Sequence, residues 1–118
     1  MPSRRTERVA DLVCRETASI IQRDLKDPRI GILTVTGAEV SPDLHLATVF
    51  YSVLGDADKR KEASAALSRA KGFIRRELGA RLKLKNTPEI RFVYDETLDR
   101  GMRIEELLGK THGPAKTG

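Results

Sequence analysis

Cysteine and aromatic residues are scarce in this chain of 118 residues. Cys14 is the single cysteine, so an intrachain disulfide is excluded and a reducing compartment is expected. Tryptophan is absent and only two Tyr and three Phe are present, which weakens any function that depends on exposed stacking platforms. No apolar run is long enough to cross a bilayer, and the basic N-terminus leads into no signal-type apolar stretch. These absences predict a soluble cytoplasmic protein with no membrane partner.

Sequence motifs for catalysis or metal binding are also missing. The chain contains no CxxC, HExxH or GxSxG, and Gly109-Lys110-Thr111 lacks the upstream glycine and the following helix of a phosphate-binding loop. Asp56 and Asp58 are interpreted as a turn that caps a helix rather than as a metal pair. Cys14 is interpreted as a small packing residue, and His45 as a structural or solvent-facing side chain. We therefore expect a protein that is not an enzyme and uses no cofactor or metal.

Basic charge is the strongest positive signal. The chain has 22 Lys and Arg against 17 Asp and Glu, a net charge of +5 and a pI near 9.7. Residues 68–85 contain a single acidic residue, Glu77, and seven basic ones: Arg69, Lys71, Arg75, Arg76, Arg81, Lys83 and Lys85. Basic clusters of this kind neutralise backbone phosphates and position a nucleic acid without reading its sequence. The cluster therefore favours a nucleic-acid or ribonucleoprotein partner, although a merely solvated helical face remains an alternative.

The same stretch has the periodicity of an amphipathic helix. Apolar residues recur at positions 63, 66, 67, 70, 73, 74 and 78, on one helical face. The opposite face carries Arg69, Gly72, Arg76, Gly79 and Lys83, with Ser68 and Arg75 at its edge. Glu77 and Arg81 fall on the apolar stripe, so one straight helix is an imperfect description. The pattern predicts two helical segments that meet at a kink near Ala70-Lys71-Gly72, with the Gly72 backbone open to a partner.

The remaining patterns predict one α+β domain over residues 1–108. The first helix is expected to follow a frayed arm (residues 1–5) and an N-cap at Thr6, and to end near Arg23 or Leu25. Strands are predicted over 32–40, 44–54 and 89–95, with a bulge at Gly37 and an antiparallel hairpin between the first two. The second strand is apolar on both faces, which indicates a central or well-covered position.

The remaining helices follow from the same patterns. The long helix is predicted to begin near Lys59, and a short C-terminal helix is predicted to open at Glu96 or Thr97. Residues 109–118 are predicted to form a flexible tail. The expected order is α-β-β-α-kink-α-β plus the C-terminal helix, with helices on one face of a three-stranded sheet.

Several separated motifs resemble those of the bacterial ribosome-binding factor A family, over about residues 4–108. They are Asp27-Pro28-Arg29-Ile30-Gly31, Leu33-Thr34-Val35-Thr36, Val40-Ser41-Pro42-Asp43-Leu44, Tyr51-Ser52-Val53-Leu54-Gly55, Gly72-Phe73-Ile74-Arg75, Pro88-Glu89-Ile90-Arg91-Phe92 with Asp95, and Gly101-Met102-Arg103-Ile104. Each motif is weak alone, but their order and spacing together are highly specific.

This resemblance implies a type II KH-like domain. The GxxG loop that clamps the nucleic-acid backbone in ordinary KH domains is replaced in this family by an Ala-x-Gly kink. The matching residues here are Ala70, Lys71 and Gly72, where the periodicity also predicts a break.

The resemblance also implies a non-catalytic factor that binds the free small (30S) ribosomal subunit and its 16S rRNA. Such a factor supports late subunit maturation, 5′-end processing of 16S rRNA and growth in the cold, and leaves before translation begins. Ribosomal proteins and assembly GTPases are implied as further partners, and the protein is expected to be a monomer.

The predicted RNA-binding residues are Arg69, Lys71, Gly72, Arg75, Arg76 and Lys83, with Arg4, Arg5 and Arg8 added if the fold brings them to the same side. Two other functions stay open from the residues alone. One is a protein-interaction module whose basic helix meets an acidic protein surface. The other is a small enzyme of ferredoxin-like fold that uses Asp56, Asp58 or His45.

Overall fold

The fold consists of two long helices packed on a three-stranded sheet, and the computed structural model describes residues 3–97. Helix α1 spans Arg4–Ser19 and continues as a π-helical turn over Ile20–Asp24, and a 3-10 turn follows at Pro28–Ile30. The remaining elements are β1 (Leu33–Val40), β2 (Leu46–Val53), α2 (Ala57–Leu82) and β3 (Glu89–Tyr94). Beyond Thr97, the predicted C-terminal helix and the tail fall outside the described residues.

Strand β2 occupies the centre of the sheet, between β1 and β3. It pairs with β1 as an antiparallel hairpin and with β3 in parallel, so its predicted central position and the hairpin are confirmed. Val35 lies opposite Tyr51 while Gly37 lies opposite Phe50, which makes Thr36 the extra residue of a β-bulge. The bulge predicted at Gly37 is therefore confirmed.

The core lies between one face of the sheet and the two helices. Alternate residues of β2 are buried on that face: Ala47, Val49, Tyr51 and Val53. They meet Val13 and Ile20 from the first helical region and Leu67, Ile74 and Leu78 from α2, all at most 1% exposed. This arrangement confirms the α+β class with helices on one face, because only the period-2 face of each strand and one stripe of each helix are apolar.

Helix α1 begins three residues earlier than the sequence predicts. Ser3 is its N-cap: the Thr6 backbone N–H donates to Ser3 Oγ at 3.1 Å. The Thr6 hydroxyl donates back to the Ser3 carbonyl at 2.9 Å, and Thr6 is 5% exposed inside the first turn. The predicted cap at Thr6 is wrong, as is the frayed arm for Arg4 and Arg5, because Ser3 supplies an equally good capping hydroxyl.

Helix α2 is one uninterrupted α-helix from Ala57 to Leu82. The predicted division into two segments at Ala70-Lys71-Gly72 is therefore wrong, whereas a bend of the continuous helix at these residues stays a prediction. Its buried positions are Ala63, Ala66 and Leu67 before Gly72 and Ile74 and Leu78 after it, with Ala70 and Phe73 half-buried between them. Arg81, which suggested a phase change, instead lies beside carboxylates of α1, so a polar residue on the stripe is satisfied without a break.

Candidate nucleic-acid interface

A shallow cleft lies between the outer face of α2 and the loop that connects α2 to β3 (residues 83–88, the α2–β3 loop). It has a volume of about 460 Å³. Its lining residues are Gly72, Arg75 and Arg76 from the helix and Lys85, Asn86 and Thr87 from the loop. The exposed cations Arg76 and Lys85 have no ion pair or hydrogen bond to another side chain among residues 3–97. The cleft therefore combines open positive charge with an accessible helix backbone.

A second, smaller cleft continues this surface towards the start of α1. Arg5 lines it together with Leu84, Lys85 and Asn86 on one side and residues 43–45 on the other, around about 170 Å³. Lys85 and Asn86 line both clefts, so the two clefts adjoin at the α2–β3 loop, with Arg76 in one and Arg5, together with Asp43, in the other. We call these two adjoining clefts the basic groove; the residues of interest in it are Arg5, Gly72, Arg75, Arg76, Lys85 and Asn86.

Two of the N-terminal arginines that were predicted with Arg5 lie elsewhere. Arg4 and Arg8 are exposed on the first turns of α1 but line neither cleft. The sequence alone could not show which of these three arginines lies beside α2, because their positions relative to α2 depend on how α1 packs across the sheet. The structure therefore joins only Arg5 to the predicted helix residues.

Arg75 differs from the other groove cations because its guanidinium is bound to the main chain. Its Nε donates to the Pro88 carbonyl at 3.1 Å, and Nη2 donates to the Thr87 carbonyl at 2.9 Å. Nη2 also lies 3.5 Å from a carboxylate oxygen of Glu89. The predicted RNA contact from Arg75 thus competes with contacts that it already makes to the α2–β3 loop.

Arg69 and Lys71 lie on opposite flanks of α2, about 160° apart around the helix axis. Arg69 Nη2 is 4.0 Å from Asp27 Oδ2, on the side where the 3-10 turn packs. Asp27 is held more tightly by Arg29, whose Nε and Nη2 donate to its two carboxylate oxygens at 2.9 and 3.0 Å. Lys71 is exposed and lines no groove cleft. The predicted residues therefore do not form one patch.

The hydrogen bonds from Arg29 to Asp27 lower the pKa of that carboxyl, with the side chain as the larger contribution and the backbone N–H as the next. Asp27 therefore remains ionised and keeps Arg29 and Arg69 partly neutralised. Arg29 was not among the predicted site residues, and this pairing places it in a structural role beside α2.

Lys83 ends α2 in a left-handed conformation, with φ of 54°. Its backbone N–H donates to the Gly79 carbonyl at 3.2 Å, and its side chain is exposed. The residue turns the chain into the α2–β3 loop, where Lys85 follows. Lys85 was counted in the basic stretch but not among the predicted RNA-binding residues, and Asn86 was not singled out; the run of basic residues past the end of α2 was the available signal.

The two glycines of the outer face of α2 have different surroundings. A Cβ placed on Gly72 would meet no heavy atom within 4 Å, so the cleft is open above this position. A Cβ on Gly79 would overlap the Thr87 hydroxyl and approach Thr87 Cγ2 to 3.3 Å. Gly72 therefore fits the predicted exposed backbone, whereas Gly79 allows the α2–β3 loop to pack closely on the helix.

The other candidate site residues occupy structural positions. Asp56 caps α2 by accepting from the Lys59 backbone N–H at 3.0 Å, as predicted. His45 is exposed, and its Nδ1 lies 3.4 Å from Asp43 Oδ2. Burial raises the pKa of the Cys14 thiol, which favours a packing role over a reactive one. Within residues 3–97, no cluster of acidic, His or Cys side chains could hold a metal ion. No helix in that range has the length and apolarity to cross a membrane.

Comparisons with known proteins identify a single family. The sequence model of ribosome-binding factor A matches residues 5–108. The solution structure of a putative ribosome-binding factor A from Thermotoga maritima is 34% identical, with a TM-score of 0.72 over 82% of this chain and 92% of its own. The crystal structure of ribosome-binding factor A from Thermus thermophilus is 27% identical, with a TM-score of 0.68 over 75% of this chain and 94% of its own.

One similar structure describes an assembly. A homology model of the Thermus thermophilus factor was fitted into a cryo-EM map of its complex with the 30S subunit. This chain is 28% identical to it, with a TM-score of 0.62 over 73% of this chain and 90% of that chain. The element order and the three-stranded sheet thus agree with a KH-like domain shared by these proteins.

Proposed function

This chain belongs to the ribosome-binding factor A family, and from that premise we propose that it binds the free small ribosomal subunit and assists its late maturation. The proposal extends to 16S rRNA 5′-end processing and to growth in the cold. The Thermus thermophilus relative, which was fitted into a map of a 30S complex, supports the choice of partner. We also infer that the protein acts in the cytoplasm as a monomer, without catalysis or a cofactor.

The basic groove is the observation that carries this proposal. Arg76 and Lys85 line one cleft, Lys85 and Arg5 line the adjoining one, and none of the three has an ion-pair partner among residues 3–97. Free cations on a rigid helix and loop suit the phosphates of a folded RNA, because each contact releases a condensed counterion. The open space above Gly72 lets the RNA backbone approach the helix without a side chain between them.

In the proposed mechanism, the protein acts by occupying one site on the small ribosomal subunit. Phosphate contacts fix the orientation of a partner but carry no sequence information, so recognition depends on the shape of the rRNA surface that fits the groove. A factor bound in this way holds an immature arrangement of the RNA, or blocks early joining of the subunits, while it remains bound. Its release then requires only that maturation alters the rRNA shape.

Charge reversal at the groove tests the proposal. We expect Arg76→Glu combined with Lys85→Glu to weaken binding to purified small subunits more than tenfold, and to lower the slope of log K against log salt by about two. The matched control is Lys59→Glu combined with Lys61→Glu, which makes the same change in net charge on exposed residues at the other end of α2. Unchanged affinity and slope in the folded groove variant would exclude this surface. Binding that survives nuclease treatment of the subunits would favour a protein partner instead.

A further inference from the structure

The α2–β3 loop is attached to the body of the protein at its C-terminal end. Arg75 donates to two consecutive carbonyls there, those of Thr87 at 2.9 Å and Pro88 at 3.1 Å. Pro88 is buried, and the Glu89 backbone N–H donates to the His45 carbonyl at 2.8 Å as β3 begins. This end of the loop is therefore fixed by a guanidinium fork on one side and by the sheet on the other.

The N-terminal end of the same loop is fixed by the end of α2. Lys83 adopts the left-handed conformation and donates its N–H to the Gly79 carbonyl at 3.2 Å. Gly79 also makes room for Thr87, whose side chain fills the space that a Cβ would occupy. Between these two attachments lie Lys85 and Asn86, both exposed and both lining the basic groove.

We propose that Arg75 is a positioning residue for RNA binding, which sets Lys85 and Asn86 at the basic groove by holding the Thr87–Pro88 main chain, while Arg76 and Lys85 contact phosphate. This inference rests on the proposed function. An arginine fork matches two adjacent acceptors in a fixed geometry, which a lysine ammonium cannot reproduce. With Nε and Nη2 directed at carbonyls and Glu89 3.5 Å away, Arg75 presents less free charge to a phosphate than Arg76 does.

The assignment separates two roles that charge alone would merge. An arginine that acts only as a phosphate ligand can be replaced by lysine with a small loss of affinity. The loss of affinity on its removal adds to the loss on removal of a neighbouring phosphate ligand. A positioning residue needs the guanidinium fork, so lysine cannot replace it. Its removal lowers the affinity little further in a variant that already lacks Lys85. Two substitutions at one position and one double-mutant cycle therefore distinguish these roles.

The experiment uses the full chain and purified small ribosomal subunits, with affinity measured over a salt series. The variants are Arg75→Lys, Arg75→Gln, Arg76→Gln, Lys85→Gln and the pairs R75Q/K85Q and R76Q/K85Q. We expect R76Q and K85Q each to weaken binding about three- to tenfold, to lower the salt slope by about one and to add when combined. R75K should lose as much affinity as R75Q, and R75Q/K85Q should bind within about twofold of K85Q alone.

Two results would overturn the inference, and they are distinguishable. If R75K binds like the unmodified chain and R75Q adds fully to K85Q, Arg75 is a phosphate ligand and not a positioning residue. If R76Q and K85Q leave both the affinity and the salt slope unchanged, the basic groove is not the RNA-binding surface, and the role proposed for Arg75 is wrong as well.

A charge-neutral pair covers the case in which Arg75 variants do not fold. Gly79→Ala displaces Thr87 from the helix without removing a cation, so it should weaken subunit binding at every salt concentration. Thr87→Ala in the same chain removes the overlapping atoms and should restore binding. Full affinity of the folded G79A variant would contradict a dependence of binding on the loop position.

Discussion

Arg81 Nη2 lies 2.8 Å from Asp24 Oδ2 and joins the last turn of α2 to the π-helical end of α1. The same guanidinium is 3.4 Å from Glu16 on α1 and 3.9 Å from Glu77 one turn back on α2. Arg81, Glu16 and Glu77 are half-buried, with the Arg81 side chain 29% exposed, whereas Asp24 is exposed. A residue that breaks the apolar pattern of α2 is therefore a cross-link between the two helices that support the groove.

Removal of this cross-link should destabilise the domain. We expect Arg81→Ala to lower the free energy of unfolding by about 1 kcal/mol, because the half-buried Glu16 and Glu77 and the exposed Asp24 lose the cation that they share. Urea unfolding measures the change. Arg76→Ala is the matched control on the exposed face of α2 and should stay within about 0.5 kcal/mol. Equal effects of the two variants would show that the ion pairs contribute nothing beyond solvated surface charge.

The open space above Gly72 predicts opposite effects on stability and on binding. Gly72→Ala should raise the free energy of unfolding by about 0.5–1 kcal/mol, since alanine favours the helix and its Cβ meets no heavy atom within 4 Å. The same methyl group would lie between the helix and an RNA backbone in the basic groove. We therefore expect weaker small-subunit binding from a more stable protein, measured by urea unfolding and by affinity. A variant that gains stability and binds normally would show that RNA does not approach this backbone.

Gly79 offers the matched comparison on the same helix. Gly79→Ala gains the same helix propensity, but its Cβ overlaps Thr87, so it should gain no stability or lose some. In the G79A/T87A double variant the overlap is removed, and the gain of about 0.5–1 kcal/mol expected for alanine should reappear relative to T87A alone. Urea unfolding of the four chains provides the cycle. Equal stabilisation by G72A and G79A in the parent chain would contradict the close packing of the loop.

The patterns that are local in sequence predicted the fold well. The apolar residues on both faces of β2 predicted its central position, and Gly37 in a run of β-branched residues predicted the bulge. Both features depend only on strand period and on glycine in a strand. Apart from the predicted division of α2, the order of helices and strands between Arg4 and Tyr94 followed from the same signals, with errors of one to three residues where the elements begin.

The features that failed or stayed open depend on contacts between distant residues. Arg81 and Asp24 are 57 positions apart, so periodicity alone recorded a polar residue on an apolar stripe and suggested a kink. Arg75 was predicted to bind RNA because its charge is visible in the sequence, whereas the Thr87 and Pro88 carbonyls that it binds are not. Arg5 could be joined to the groove only once the packing of α1 was known.

The hydrogen-bonded pair of Asp27 and Arg29 predicts a specific loss of stability in acid. The Arg29 side chain first, and its backbone N–H second, lower the pKa of Asp27 below the ordinary value of 3.8 in the folded protein. A carboxyl whose pKa is depressed by folding stabilises the protein fully above the unfolded-state pKa and loses that contribution as pH falls through the folded-state pKa. The stabilisation by Asp27 should therefore be complete well above 3.8, the ordinary pKa, and be lost as the pH falls below 3.8 and through the lower folded-state pKa.

Asp27→Asn isolates this contribution, because asparagine can still cap the 3-10 turn but has no charge to lose. Urea midpoints of the two proteins should differ most near neutral pH, with D27N the less stable, and should converge as the pH falls below 3.8. The pKa of Asp43 is also lowered, by hydrogen bonds from Ser41 and His45. These bonds are the same in both proteins, so Asp43 does not contribute to the difference between their urea midpoints. A constant difference across the acid range would mean that Asp27 acts through its shape and not through its charge.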